Sequence, residues 1–210
     1  MRIIEPSHQF LEDFDGLAMV RNIERMGRIC YKSEGGITDT SYQRFIKNLI
    51  ARGHESVIEH EKISVLVICD RGVSHEIVRH RIASYSQEST RYCNYSQDKF
   101  GNELTFIRPC FWTEDSPAYQ IWKASVEAVE RDYFRLLELG AQPQEARSIL
   151  PNSLKTELVI TMNLREWRHF FRLRTAAAAH PQMRQTASAL LRDFKARVPV
   201  MFDDIAANEQ

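Results

Sequence analysis

Between Arg79 and Tyr92 the chain reads RHRIASYSQESTRY, which sets three arginines and a histidine among the hydroxyls of Ser84, Ser86, Ser89 and Thr90 and the rings of Tyr85 and Tyr92. Guanidinium groups present fixed forks of N–H donors that match phosphate oxygens, and hydroxyls complete the hydrogen bonding without adding charge. The chemistry this composition suits is the capture of a phosphorylated ligand. The plain alternative is a solvated basic loop.

A second cluster lies in NLREWRHFFRLRT, residues 163 to 175. On a helix Arg165, His169 and Arg172 recur at i, i+4 and i+7 and form one stripe, with Arg168 close by and Arg174 almost opposite Arg165. Like charges one turn apart repel, so the stripe needs solvent, carboxylate partners or a bound anion. Phe170, Phe171 and Leu173 make the remaining faces apolar, which predicts a packed helix whose arginines are aimed. Arg147, in EARSILP, stands just before the helix-stopping Pro151 and can join either cluster.

Other chemistries fit less well. His54 and His60 in GHESVIEH, and His75 with His80, invite a metal. However, His75 and His80 are five apart where a zincin helix needs four, so no metal is expected. Glu76 stands one turn before His80, the spacing of an ordinary structural pair. No G-x-S-x-G elbow marks a serine hydrolase. Cys30, Cys69, Cys93 and Cys110 form no C-x-x-C pair, and none sits in a motif that would activate it as a nucleophile. With no G-x-G-x-x-G and no P-loop, neither a Rossmann turn nor a P-loop holds a nucleotide or flavin if one binds.

The composition narrows the class. The 210 residues suit one domain, 1–210, and 28 basic side chains balance 28 acidic ones, so no global field draws the chain to nucleic acid or an anionic membrane. The N-terminal MRIIEPSHQF lacks the apolar run of a signal peptide, and no stretch approaches the roughly 20 apolar residues of a membrane span. A soluble cytoplasmic protein is expected.

The positioning elements follow from periodicity and punctuation. Strands are predicted at Arg2 to Glu5, Ile63 to Cys69, Leu104 to Ile107 and Thr156 to Met162. Helices are predicted at Leu17 to Arg28, Ser41 to Ala51 closing at Gly53, and Gly72 to about Ile82. Further helices are predicted from Ser116-Pro117 to Leu139, Gln144 to Leu150, Leu164 to Thr175 and Pro181 to Val198. The serine- and tyrosine-rich stretch after Ile82 reads as loop, and the tail from Ala206 as frayed. The sum is a helix-rich α+β chain, an antiparallel sheet flanked by helices, without βαβα alternation. On a helix reaching Ile82, Arg79 and Arg81 point about 200° apart. Either the helix unwinds there or the two arginines serve different anions.

R-H-R, seven residues, then Ser-x-Arg-Tyr resembles the signature of the flavin-dependent thymidylate synthases. The likeness continues through GHESVIEH, EARSILP, MNLREWRHFFRLR and AAHPQMR. It implies conversion of dUMP to dTMP with 5,10-methylenetetrahydrofolate as carbon donor, NADPH as reductant and FAD as relay. It also implies a homotetramer whose active sites form between subunits. Carried over, His54, Ser56, Arg79, His80, Arg81, Gln87, Asn163, Leu164, Arg165 and His169 would contact FAD. The dUMP pocket would take Glu76, Ile77, Val78 and Arg79 of one chain with Gln87, Glu88, Ser89, Thr90 and Arg91 of another, plus Arg147 and Arg174. Ser89 and Arg91 would hold the phosphate. Arg174 would be catalytic, stabilising negative charge on the uracil so that C5 is activated without a cysteine. Better-known members carry Gln where Glu76 stands and Glu where Gln87 stands, and some carry Asn at His169. A C5-methylating enzyme acting on UMP is the nearest rival reading, and an RNA-binding module the remote one.

Overall fold

The computed structural model describes residues 1–97 and 101–206, so the tail beyond Ala206 lies outside the described residues. In chain order the elements are β1 (Arg2–Ile4), β2 (Ser7–Phe10), α1 (Gly16–Ile29), α2 (Ser41–Ala51), β3 (Lys62–Asp70), α3 (Arg71–Ile77) and β4 (Ser84–Gln87). There follow β5 (Thr105–Ile107), α4 (Pro117–Glu138), α5 (Pro143–Ala146), β6 (Lys155–Asn163), α6 (Leu164–Arg174) and α7 (Pro181–Arg197). This is the expected helix-rich α+β chain with an antiparallel sheet, four-stranded in the order β2-β3-β6-β4. A separate parallel pair joins β1 to β5, Arg2 opposite Thr105 through Ile4 opposite Ile107.

The described residues group into two compact units interleaved along the chain. Met1–His8, Leu66–Arg79 and Tyr85–Val159 make the first. Its core is Leu104, Phe106, Val126, Tyr133 and Leu154, with Tyr95 against Tyr133. Helix α4 begins where the Ser116 hydroxyl accepts the Tyr119 N–H at 3.2 Å and Pro117 presets the first turn. It ends before Gly140, whose φ of +94° a side chain would resist.

The second unit comprises Gln9–Val65, His80–Ser84 and the chain from Ile160 onward. Its core is aromatic, with Trp167 set 4.9 Å from Phe194 and Phe171 5.6 Å from Phe202 between ring centroids. The Trp167 indole N–H donates to the Ile63 carbonyl at 3.1 Å, so the large ring is buried without an orphaned donor. Helix α1 starts hard against the end of α7: a Cβ on Gly16 would lie 2.0 Å from the Arg197 carbonyl oxygen.

The arginine stripe of α6 is answered by carboxylates. Arg165 pairs with Glu59 at 2.5 Å, and Arg172 with Glu55 at 3.3 Å and Asp204 at 3.4 Å. Arg168, 0% exposed, makes two parallel 2.8 Å bonds to Asp204 and donates to the Met201 carbonyl. These bonds fix a turn in which Val200 holds a φ of +60°, an uncomfortable place for a β-branched residue. The Arg168 and Arg172 guanidiniums outweigh burial and hold the Asp204 carboxyl below the usual range.

Four elements differ from expectation. Helix α3 stops at Ile77 instead of near Ile82, because the Tyr85 hydroxyl donates to the Ile77 carbonyl at 2.9 Å and satisfies an end-of-helix acceptor. Arg79 and Arg81 therefore lie beyond the helix, the first of the two alternatives that the sequence leaves open. The stretch read as loop contains β4, whose residues alternate exposed and half-buried from Ser84 to Gln87. Strand β2, another polar alternation, was not expected. The helix expected at Gln144 to Leu150 is α5 followed by a tight turn at Arg147–Ile149, with Glu145 accepting the Gln142 N–H at 2.8 Å.

Replacing Arg168 by Met should lower unfolding stability by about 3 kcal/mol, the low end for a broken buried pair because Asp204 remains 42% exposed. The urea midpoint at unchanged slope measures this.

Candidate active site

In the second unit the Asn163 side chain accepts the Glu166 N–H at 2.8 Å and starts α6. From there Glu166, Phe170 and Arg174 follow at i, i+4 and i+8 and share one face. His80 meets that face. Its ring is 4% exposed and packs edge-on against Phe170 at 5.0 Å and His169 at 5.5 Å.

Both ring nitrogens of His80 are engaged. Arg174 Nε donates to Nε2 at 3.1 Å, and Nδ1 stands 3.2 Å from Glu166 Oε1. An arginine Nε–H can only donate, so Nε2 carries the lone pair and the ring proton sits on Nδ1, donated to Glu166. Burial, then the Arg174 charge, then His169, lower the imidazole pKa to about 4, so the ring is neutral. Burial raises the Glu166 carboxyl, with His169 and Arg165 opposing. Nitrogen and oxygen atoms of His80, Glu166 and His169 lie within 4.8 Å of one another, close enough for a metal. The Arg174 guanidinium beside His80 repels a cation there.

The other expected flavin contacts fall in three settings. His54 and Ser56 are exposed at the tight turn Glu55–His60, and Arg81 and His169 are exposed as well. Asn163 and Arg165 are already bonded within the protein, to Glu166 and Glu59. Leu164 is fully buried and its N–H is donated to the Glu61 carbonyl at 2.9 Å. A cleft of about 730 Å³ opens beside Asn163, lined by Phe14, Met19, Glu59, His60, Ile82 and Thr161 among others.

The first unit gathers the remaining candidates. Gln87 donates to Ser74 at 2.9 Å and Thr156 at 3.2 Å, while Glu88 accepts from Lys155 at 3.0 Å and Tyr95 at 2.9 Å. Beyond them the turn brings Ser89, Thr90, Arg91 and Arg147 together. The Ser89 hydroxyl accepts the Arg91 N–H at 3.3 Å, Arg147 donates to the Thr90 hydroxyl at 3.4 Å, and Arg91 Nε donates to Gln144 at 3.1 Å. Both guanidiniums are exposed. Of Glu76, Ile77, Val78 and Arg79, Ile77 is core, Glu76 half-buried and the other two exposed. Gln144, which the sequence did not single out, belongs to this cluster. So does Glu166 to the other; standing third in α6 after Asn163, it reads in the sequence as an ordinary helix-start residue.

Among the described residues no helix is long and apolar enough to cross a membrane. Residues 18–200 match the thymidylate synthase complementing protein family. A flavin-dependent thymidylate synthase of Pyrococcus furiosus is 34% identical over 162 residues, covering 77% of this chain and 66% of that protein. One from Geobacter sulfurreducens is 33% identical over 84% of this chain and 78% of its own length. One from Mycobacterium sp. (strain JLS) is 31% identical over 96% and 85%. The chain thus spans just under two thirds of the archaeal relative.

The folded His80 takes a proton only near 4, the unfolded one near 6.5. Its lowered pKa means stability is complete above the upper value and falls as pH drops between the two. Ring resonances followed by NMR should stay neutral through that window, and the unfolding free energy should decline across it.

Proposed function

The chain belongs to the thymidylate synthase complementing protein family, and from that premise we propose that it converts dUMP to dTMP. The reaction consumes 5,10-methylenetetrahydrofolate, NADPH and a proton and releases tetrahydrofolate and NADP+, with FAD as cofactor and no cysteine nucleophile. The enzyme works in the cytoplasm as a homotetramer, its active sites completed between copies.

The observation that carries this reading is Arg174, whose guanidinium Nε donates to the neutral imidazole of His80. Charge developing at N3 and O4 of uracil is stabilised by such a donor, which makes C5 nucleophilic without a covalent enzyme bond. Arg91 and Arg147, with the Ser89 and Thr90 hydroxyls, form the phosphate grip. Glu88 supports that turn through Lys155 rather than by reaching the ligand. Gln87, tied to Ser74 and Thr156, presents its amide carbonyl, and Glu76 supplies the carboxylate of the exchanged pair.

The residues fit a flavin dinucleotide. Exposed Arg79 and Arg81 suit its pyrophosphate, His54, Ser56 and His169 suit ring and ribose oxygens, and Ile82, 68% exposed, offers an apolar surface. Bound FAD supplies the electron and one-carbon chemistry that no side chain here can supply. Asn163, Leu164 and Arg165 hold the start of α6 in place beside it, and Glu59 restrains Arg165.

Purified protein should bind FAD and show a flavin absorption band, and it should turn over dUMP in preference to UMP; preference for UMP, or a protein that never binds flavin, contradicts the reading. Arg174→Ala should lower dTMP formation by about 100- to 1,000-fold while FAD stays bound. Arg81→Ala should weaken FAD retention, measured by equilibrium titration.

A further inference from the structure

Arg174 is the last residue of α6, and its backbone is well anchored. The following Thr175 donates its N–H to Phe171 at 3.0 Å, and its hydroxyl bonds to Phe171 at 2.8 Å and Ala206 at 3.1 Å. A fixed Cα does not fix a guanidinium at the end of a long flexible stem. The bond from Nε to His80 helps to orient it. That bond exists only if Nε2 is unprotonated, and a free imidazole is under no obligation to choose that tautomer.

Glu166 makes the choice. Its Oε1, 3.2 Å from Nδ1, accepts the ring proton and so leaves the lone pair facing Arg174. Phe170 and His169 pack the ring edge-on and block its rotation. The geometry points to a positioning chain, Glu166 to His80 to Arg174, in which a carboxylate one face-length along α6 aims the guanidinium at the end of the same helix. Glu166 and His80 touch no substrate in this scheme; they act through Arg174. His80 does not serve as a base, since both nitrogens are engaged. The proposal rests on the catalytic role given to Arg174 above.

Replacing Glu166 by Leu removes the acceptor. The ring is then free to carry its proton on Nε2, where it would oppose the Arg174 N–H, donor against donor, and push the guanidinium aside. Misplacement of a charge that acts on the transition state lowers kcat and leaves KM nearly unchanged.

The test uses the flavin-loaded protein. Glu166→Leu should lose about 100-fold in kcat with KM for dUMP and FAD binding nearly unchanged. Glu166→Gln, whose amide oxygen still accepts from Nδ1, should retain most of the turnover. The double variant Glu166→Leu with Arg174→Ala should be no slower than Arg174→Ala alone, because Glu166 acts only through that residue; a merely structural role would add its loss to the other. Unchanged kcat in Glu166→Leu, or additive losses, overturns the proposal. Nitrogen NMR of the His80 ring gives an answer that needs no turnover. In the unmodified protein the proton should reside on Nδ1, and on Nε2 in a substantial share of Glu166→Leu molecules. An Nε2 proton in the unmodified protein overturns the chain even if Glu166→Leu fails to fold. A protein that makes no dTMP, yet shows the Nδ1 tautomer and its shift, defeats the proposed function and leaves the hydrogen-bonded chain standing.

Discussion

Helix α6 carries its charges on the same turns as its largest rings, and the two sets of partners can be met together at only one rotation about its axis. Trp167, Phe170 and Phe171 are buried in the aromatic core, while Arg168, equally buried, must find Asp204 and the Met201 carbonyl. Rotating the helix by one residue, about 100°, would bury an unpaired guanidinium or expose indole. Packing and ion pairing therefore fix the places of Glu166 and Arg174, and the ordering of His80 follows from theirs. Stability and chemistry are here one constraint on a single element.

The R-H-R triplet gains a physical meaning from that constraint. Arg79 and Arg81 are exposed, and His80 between them is buried. The triplet lies past the end of α3 at Ile77, so these exposures are set by the chain beyond the helix. The two guanidiniums face solvent, and the imidazole is engaged by Glu166 and Arg174.

Much of the fold was legible because its signals are local. Ser116-Pro117 and Gly140 bracket α4, Gly53 follows α2, and the β-branched run Ile63 to Cys69 forms most of β3. Strands β2 and β4 were not legible, since each is only four residues long and three of their four inward side chains, His8, Tyr85 and Gln87, are polar or amphipathic, which leaves Phe10 alone to mark an apolar face. In the site, the cationic residues stood out by type, but their partners did not. Glu55 lies 117 positions from Arg172 and Asp204 lies 36 from Arg168, distances over which spacing carries no information. The stripe on α6 could be read as needing solvent, carboxylates or an anion, and only the fold decides for carboxylates.

Strand β4 and the triplet before it also bear on how this segment can change over evolutionary time. From Arg79 to Gln87 inward and outward side chains take turns in two short runs, and the Ser89 to Arg91 turn follows directly. Deleting or inserting one residue within β4 would send its inward groups out and its outward groups in. Single substitutions can be sampled one at a time, but length cannot. Within β4 a change of length by one residue therefore costs the whole inward set, whereas a substitution costs one member of it.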